Sequence, residues 1–171
     1  MRKRFCTLLL VAAIIAGFPL FGADFTHFTT HDLIGRTVDQ SVFSDKKLTM
    51  VSIWATSCGY CRMEMPSMEA LRKAYPDLQV VGILTDVLSR NGKLLMNQVS
   101  VAQKILKQTG LQETTLLPES AFARTALDEL VGVPTKYYVD RNGVIVYGPI
   151  AGMETKEAME KTIVSLLAKL S

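Results

Sequence analysis

Apolar and polar positions along this chain follow two different periods, and the changes between them mark out the elements. Leu48 to Trp54 and Leu78 to Leu84 are apolar-rich runs of strand length, and both predict buried strands. Shorter runs at Thr114 to Leu117, Lys136 to Val139 and Val144 to Tyr147 predict three more, the last two joined by an Asp140-Arg141-Asn142-Gly143 hairpin turn. Past Cys58 the period becomes helical: Cys61, Met65, Met68 and Leu71, with Arg72 beside them, share a face, and Pro66 among them predicts a kink. Tyr75-Pro76-Asp77 ends that helix, and Thr85 to Asn97, with its Asn91-Gly92 turn, reads as a polar loop. Val99, Ala102, Ile105 and Leu106 define a second helix ending near Thr109-Gly110, and Ala121, Phe122, Ala126, Leu127 and Leu130 a short third one. Lys156 to Leu170 predicts a terminal helix with Ala158, Met159, Ile163, Leu166 and Leu167 inward. Before all of these, residues 24 to 47 read as two short strands around an Ile34-Gly35-Arg36 turn, followed by a polar loop from Ser44 to Lys47.

Strands joined through helices and closed by a hairpin and a last helix predict an α/β sandwich around a mixed sheet. Right-handed crossovers would bring the strand ends that carry Cys58 and Pro134 to one side of the core. The 171 residues, 49% of them hydrophobic, suffice for one domain, expected over residues 23–171. Residues 1–22 are set apart: Arg2, Lys3 and Arg4 precede an uncharged apolar run from Phe5 to Phe21, the outline of an export signal or an amino-terminal membrane anchor. Pro19 and the shortness of the run favour cleavage, near Gly22 or Ala23. No lipid-attachment pattern precedes Cys6. Three of the 19 basic residues lie in this segment, and without them the chain balances its 16 acidic ones. A neutral exported domain with no basic stripe argues against a nucleic-acid partner.

The chemistry-bearing stretch is Trp54 to Glu64, W-A-T-S-C-G-Y-C-R-M-E, at the passage from strand to helix. A cysteine at a helix N-terminus faces unpaired amide groups and the positive end of the helix dipole, both of which favour a thiolate. A free thiol ionises near roughly 8.5, and in Cys-x-x-Cys turns the value falls to about 3.5–7.5. Cys58 is therefore the expected nucleophile. Cys61, one turn deeper on the same face, can close a disulfide with it or resolve a mixed disulfide. The competing reading, half of a structural zinc site, needs four nitrogen or sulfur ligands. Only Cys6, His27 and His31 remain, and the histidines lie in a Thr-rich extended segment where exposure is the expectation.

W-A-T-S-C-G-Y-C-R-M-E-M-P followed by V-P-T-K-Y-Y-V-D-R-N-G resembles the thioredoxin fold, and within it the exported TlpA/ResA-like thiol-disulfide oxidoreductases. The resemblance spans about Phe25 to Leu170. It implies a thioredoxin-like three-layer sandwich with a central mixed sheet, an N-terminal β-hairpin, and an inserted helical element between the strand ending near Leu84 and that starting near Thr114. It implies a cis peptide bond before Pro134, with Val133 and Pro134 facing the cysteines and joining Gly59 and Tyr60 in binding substrate; Trp54 would pack beside the site and join them, against the plainer reading of an ordinary core or rim aromatic. Glu64 matches an acidic residue that influences proton transfer at the cysteines, beside the plainer reading of a surface carboxylate. Ser52 stands where thioredoxin has a buried acid. Ser57 and Gly59-Tyr60 depart from the family's frequent Trp and Pro, and Gly-Tyr also occurs in envelope disulfide isomerases.

The expected function is an exported protein-disulfide reductase of the periplasm or cell envelope, acting in cytochrome c maturation or thiol homeostasis. It would attack a protein disulfide substrate, be recharged by a membrane thiol donor, work as a monomer, and need no cofactor or metal. Isomerase or oxidase chemistry stays open. So does a copper-binding thiol module built on Cys58, Cys61, Met63, Met65 and Met68, since soft sulfur suits Cu(I), although methionines so spaced also suit a core.

Overall fold

The structure, a computed structural model, describes residues 23–127 and 130–170. Five strands form the central sheet: β3 (Leu48–Trp54), β4 (Leu78–Leu84), β5 (Thr114–Leu116), β6 (Thr135–Val139) and β7 (Ile145–Ala151), in the order β5-β4-β3-β6-β7. β4 and β5 run parallel to β3, and β6 pairs antiparallel with both β3 and β7, so the sheet is mixed and only β6 runs against the others. Side chains alternate strictly between its faces. Met50, Trp54, Val80, Leu84 and Tyr138 pack on one side with α1 (Gly59–Ala74), α2 (Met96–Thr109) and α4 (Lys156–Lys169). Val51, Ile53, Val81, Ile83 and Val139 face the other side, covered by Phe25, Phe28, Phe43 and, from α3 (Ser120–Ala126), Phe122. The expected three layers are present, and α2 occupies the place of the expected inserted helix.

The amino-terminal hairpin, β1 (Thr29–His31) with β2 (Thr37–Asp39), is stitched to the β5 side of the sheet. Asp32 bridges Leu116, the Leu33 amide donates to Thr115 O at 3.1 Å, and the Leu117 amide donates to His31 O at 2.8 Å. A short 3-10 turn at Gln40–Phe43, capped by the Asp39 side chain, was not foreseen.

Pro66 lies on the exposed face of α1, inside the helix that spans Gly59 to Ala74. Two expectations need correction. Ala158 is exposed, because α4 turns only Met159, Ile163 and Leu166 fully inward. β7 does not stop at Tyr147 but runs through Gly148-Pro149 to Ala151, which an outermost strand tolerates because the missing proline donor breaks no inner ladder. The predicted signal or anchor at residues 1–22 lies outside the described residues, and no helix among those described is long and apolar enough to cross a membrane.

Candidate active site

α1 starts where β3 ends, through a loop held by an acid that the sequence did not advertise. Asp86, just past β4, accepts from the Thr56 amide (2.9 Å), the Thr56 hydroxyl (2.7 Å) and the Ser57 amide (3.3 Å). Cys58 then caps α1, with extended backbone angles and its sulfur accepting from the Cys61 amide at 3.1 Å. One of the helix's orphan donors thus points at that sulfur, the geometry that stabilises negative charge there. Cys58 and Cys61 are bridged, with Cα atoms 5.3 Å apart. Cys58 keeps part of its surface, whereas Cys61 is only 2% exposed and belongs to the core cluster of Trp54, Met65 and Met68. A partner can reach the first sulfur and not the second.

The loop before β6 reaches the same end of the sheet, since Thr135 pairs with Ile53 near the end of β3. The Val133–Pro134 bond is cis, as the resemblance implied. Thr135 Oγ1 donates to Gly132 O at 2.7 Å, and the Gly152 amide, just after β7, donates to Pro134 O at 2.8 Å, fixing the loop from both sides. Gly59 and Tyr60 are exposed, Tyr60 at 64%, and Val133 is half-buried, so these three offer surface; Pro134 is buried. Trp54 does not match its expected substrate-binding place. It is fully buried beneath the site, its indole N–H donating to Glu113 Oε1 at 3.1 Å, and it presents no surface to a substrate.

Glu64 is not a surface carboxylate. It lies one turn beyond Cys61 and is buried against Lys136, whose ammonium donates to both its oxygens at 3.0 and 3.1 Å. Lys136 is itself completely enclosed, donates to Gly152 O at 3.1 Å and lies 3.5 Å from Glu154 Oε2, while the Glu154 amide donates to Glu64 Oε2 at 3.1 Å. Two carboxylates therefore share one ammonium in a dry site. Burial outweighs the attraction of Lys136 and holds the Glu64 carboxyl above its usual range. The same burial, with Glu154 and Glu64 nearby, raises the Tyr138 phenol.

Sequence reasoning missed Lys136, Glu154, Asp86 and Glu113. Lys136 left one signal: it has the parity of Tyr138 in an apolar strand and so had to point inward. Glu113 left another through Gly82, since a glycine inside a buried strand marks a close approach.

Metal readings find no support in the geometry. Met65 and Met68 pack in the core cluster with Cys61, while Met63 is 65% exposed and points away from it, so the five sulfur residues do not form one set. Among the described residues no three His, Cys, Asp or Glu side chains gather as a metal site. His27 is exposed, and His31 is half-buried, its Nδ1 lying 2.9 Å from Glu119 Oε1.

Thiol-disulfide oxidoreductase ResA of Bacillus thuringiensis subsp. konkukian (strain 97-27) is 25% identical to this chain over 167 residues, 90% of each. Thioredoxin-like protein YneN of Bacillus subtilis (strain 168) is 29% identical over 116 residues, 67% of this chain and 63% of its own. Among solved structures, a thioredoxin-family thiol:disulfide interchange protein from Chlorobium tepidum TLS superposes with a TM-score of 0.66 at 20% identity, covering 86% of this chain and 98% of that one. A secreted Mycobacterium tuberculosis disulfide oxidoreductase homologous to E. coli DsbE does so at 0.62 and 21%, covering 82% and 96%. These two likenesses are of fold. Residues 21–148 match the AhpC/TSA family, and the chain belongs to that family, with the thioredoxin-like fold and ResA-named relatives that the motifs around Cys58 and Pro134 implied.

Proposed function

We propose that the protein is an exported protein-disulfide reductase working through Cys58 and Cys61. The observation that carries this is the asymmetry of the pair: Cys58 is reachable and caps a helix, while Cys61 is enclosed within bonding distance of it. In the reduced enzyme the Cys58 thiolate attacks one sulfur of a substrate disulfide, and the other sulfur leaves as a thiolate that takes up a proton. Cys61 then loses its proton and attacks Cys58, which expels the second substrate thiol and leaves the Cys58–Cys61 bridge. Two electrons pass to the substrate. Glu64, one turn along the same face of α1, accepts the Cys61 proton, because burial has lifted its carboxyl toward the range where such a transfer is useful. The substrate lies as an extended segment against Val133 and Pro134, with Gly59 and Tyr60 flanking the sulfur it attacks.

A second thiol pair must recharge the bridge. The proposed donor is a membrane dithiol protein, the substrate an apocytochrome c or another envelope protein, and the site of action the periplasm or cell envelope, reached through residues 1–22. The names of the ResA relatives support the thiol-disulfide chemistry on which this reading rests.

Equilibration of the pair against dithiothreitol and glutathione buffers tests the direction. A potential near roughly −270 mV, in the range of thioredoxin, agrees with reduction; one near about −120 mV makes the protein an oxidant and overturns it. The Cys61→Ser variant should trap substrate as a mixed disulfide on Cys58, and the Cys58→Ser variant should trap none.

A further inference from the structure

Glu113 is a buried carboxyl that the thiol chemistry above does not use. It lies between α2 and β5 and reaches inward across the sheet face on which the cysteine helix packs. Gly82 and its register partners Ser52 and Thr115 make a row of small residues across β3, β4 and β5, and the carboxyl sits on that row. A Cβ at Gly82 would collide with it, coming 2.6 Å from Glu113 Cδ and 2.9 Å from Oε2. Oε1 accepts from Trp54 Nε1 at 3.1 Å and from Thr115 Oγ1 at 2.7 Å, while Oε2 is enclosed with no hydrogen-bond partner among the described residues.

Among the described residues no cation pairs with it. The nearby charged groups are already paired: Arg36 with Asp32 at 2.7 Å on the hairpin, and Arg72 with Glu69 at 2.8 Å on α1, where Glu69 also holds the Gln112 amide. Burial raises the Glu113 carboxyl to about 7, its two hydrogen bonds opposing this only in part. A cavity of about 170 Å³ beside it is lined by Asp32, Arg36, Gln103, Leu106 and Glu113 itself. Glu113 also holds the indole of Trp54, a member of the core cluster that contains Cys61 and against which Cys58 packs.

We propose that Glu113 is a positioning residue for the dithiol: held on the Trp54 indole, it takes up a proton when the Cys58–Cys61 bridge is reduced and releases it when the bridge re-forms. The reason is repulsion between like charges through a low-dielectric core that both groups adjoin. A bridge carries no charge and lets Glu113 ionise; a Cys58 thiolate opposes that. On reduction by a donor dithiol, two electrons break the sulfur–sulfur bond. One donor proton makes the Cys61 thiol, the other protonates Glu113, Cys58 is left as thiolate, and the donor becomes a disulfide. This rests on the redox reading of the pair given above.

The chain contains a single tryptophan, so Trp54 emission reports the bond to Glu113 directly. In the oxidised protein, emission should change with a midpoint near 7, and reduction with dithiothreitol should raise that midpoint by roughly half a pH unit or more. Glu113→Gln, which keeps the acceptor for both donors, should abolish the oxidised-form transition. It should also lower the pH midpoint of Cys58 alkylation by an amount matching the first shift, because the coupling is reciprocal. Equal midpoints in the two redox states overturn the proposal, and this comparison needs no variant. A transition that survives in oxidised Glu113→Gln overturns it too. A pair that dithiothreitol cannot open strikes instead at the thiol-disulfide reading, and this proposal falls with it.

Discussion

Lys136 carries the largest electrostatic burden of any single side chain near the cysteines, since it alone offsets Glu64 and Glu154 in a site that excludes water. Replacing it with methionine leaves the buried Glu64 carboxylate unpaired beside the partly exposed Glu154. Lys136→Met should cost about 3–5 kcal/mol at pH 7, the usual penalty for stripping one partner from a buried ion pair. The sign of its pH dependence follows from Glu64. That carboxyl is already raised and would rise further without the ammonium, so the folded variant binds a proton more tightly than the unfolded chain and recovers stability as pH falls. Urea unfolding at pH 7 and pH 5 checks both points; a loss of the same size at the two values would show that charge is not the cause. At this scale the sequence announced Cys58, Cys61 and Pro134, whose chemistry is written in their identity and spacing. It could not announce that Glu64 is buried, because that depends on Lys136, 72 residues away in the chain.

Among the elements, α1 is held at its two ends by different means. Its start is fixed by the Cys58 cap and by the Asp86 brace on the preceding loop. Its last turns are fixed by Glu69, which accepts from Arg72 and from the Gln112 amide. Those bonds, Arg72's foremost, pull the Glu69 carboxyl down to about 2. A depressed carboxylate contributes stability that is complete above its ordinary pKa and is lost as pH falls through the depressed value. Thermal melting of the wild type should therefore decline from about pH 4.5 toward 2, and Glu69→Gln should start lower and decline less over that interval. Element identities were largely legible because strand and helix periods are distinct here. A boundary failed where local breakers met a permissive place, at Gly148-Pro149 in an outermost strand.

For the molecule as a whole, stability comes from two apolar layers on either side of one sheet rather than from the cysteine bridge. That bridge spans three positions and closes so small a loop that its chain-entropy contribution is about 2 kcal/mol or less. Reduction should leave the fold intact and lower the unfolding free energy by no more than that, measured by urea titration with and without dithiothreitol. An enzyme that opens and closes the same bond in every cycle can then do so without risking its own architecture. The layering was readable from alternation, yet the Glu113 contact across three strands was not, because it depends on the register that sets Gly82 between Ser52 and Thr115.

Both flanks of the sheet also bear on the company this protein would keep. The hairpin is sewn along β5, and Pro149 interrupts β7 on the far side, so neither margin offers a long run of free amides to another chain. A client presenting a disulfide for reduction is often incompletely folded and prone to add itself as an extra strand. A sheet closed in this way can handle sticky, unfinished polypeptides without becoming the template on which they coagulate.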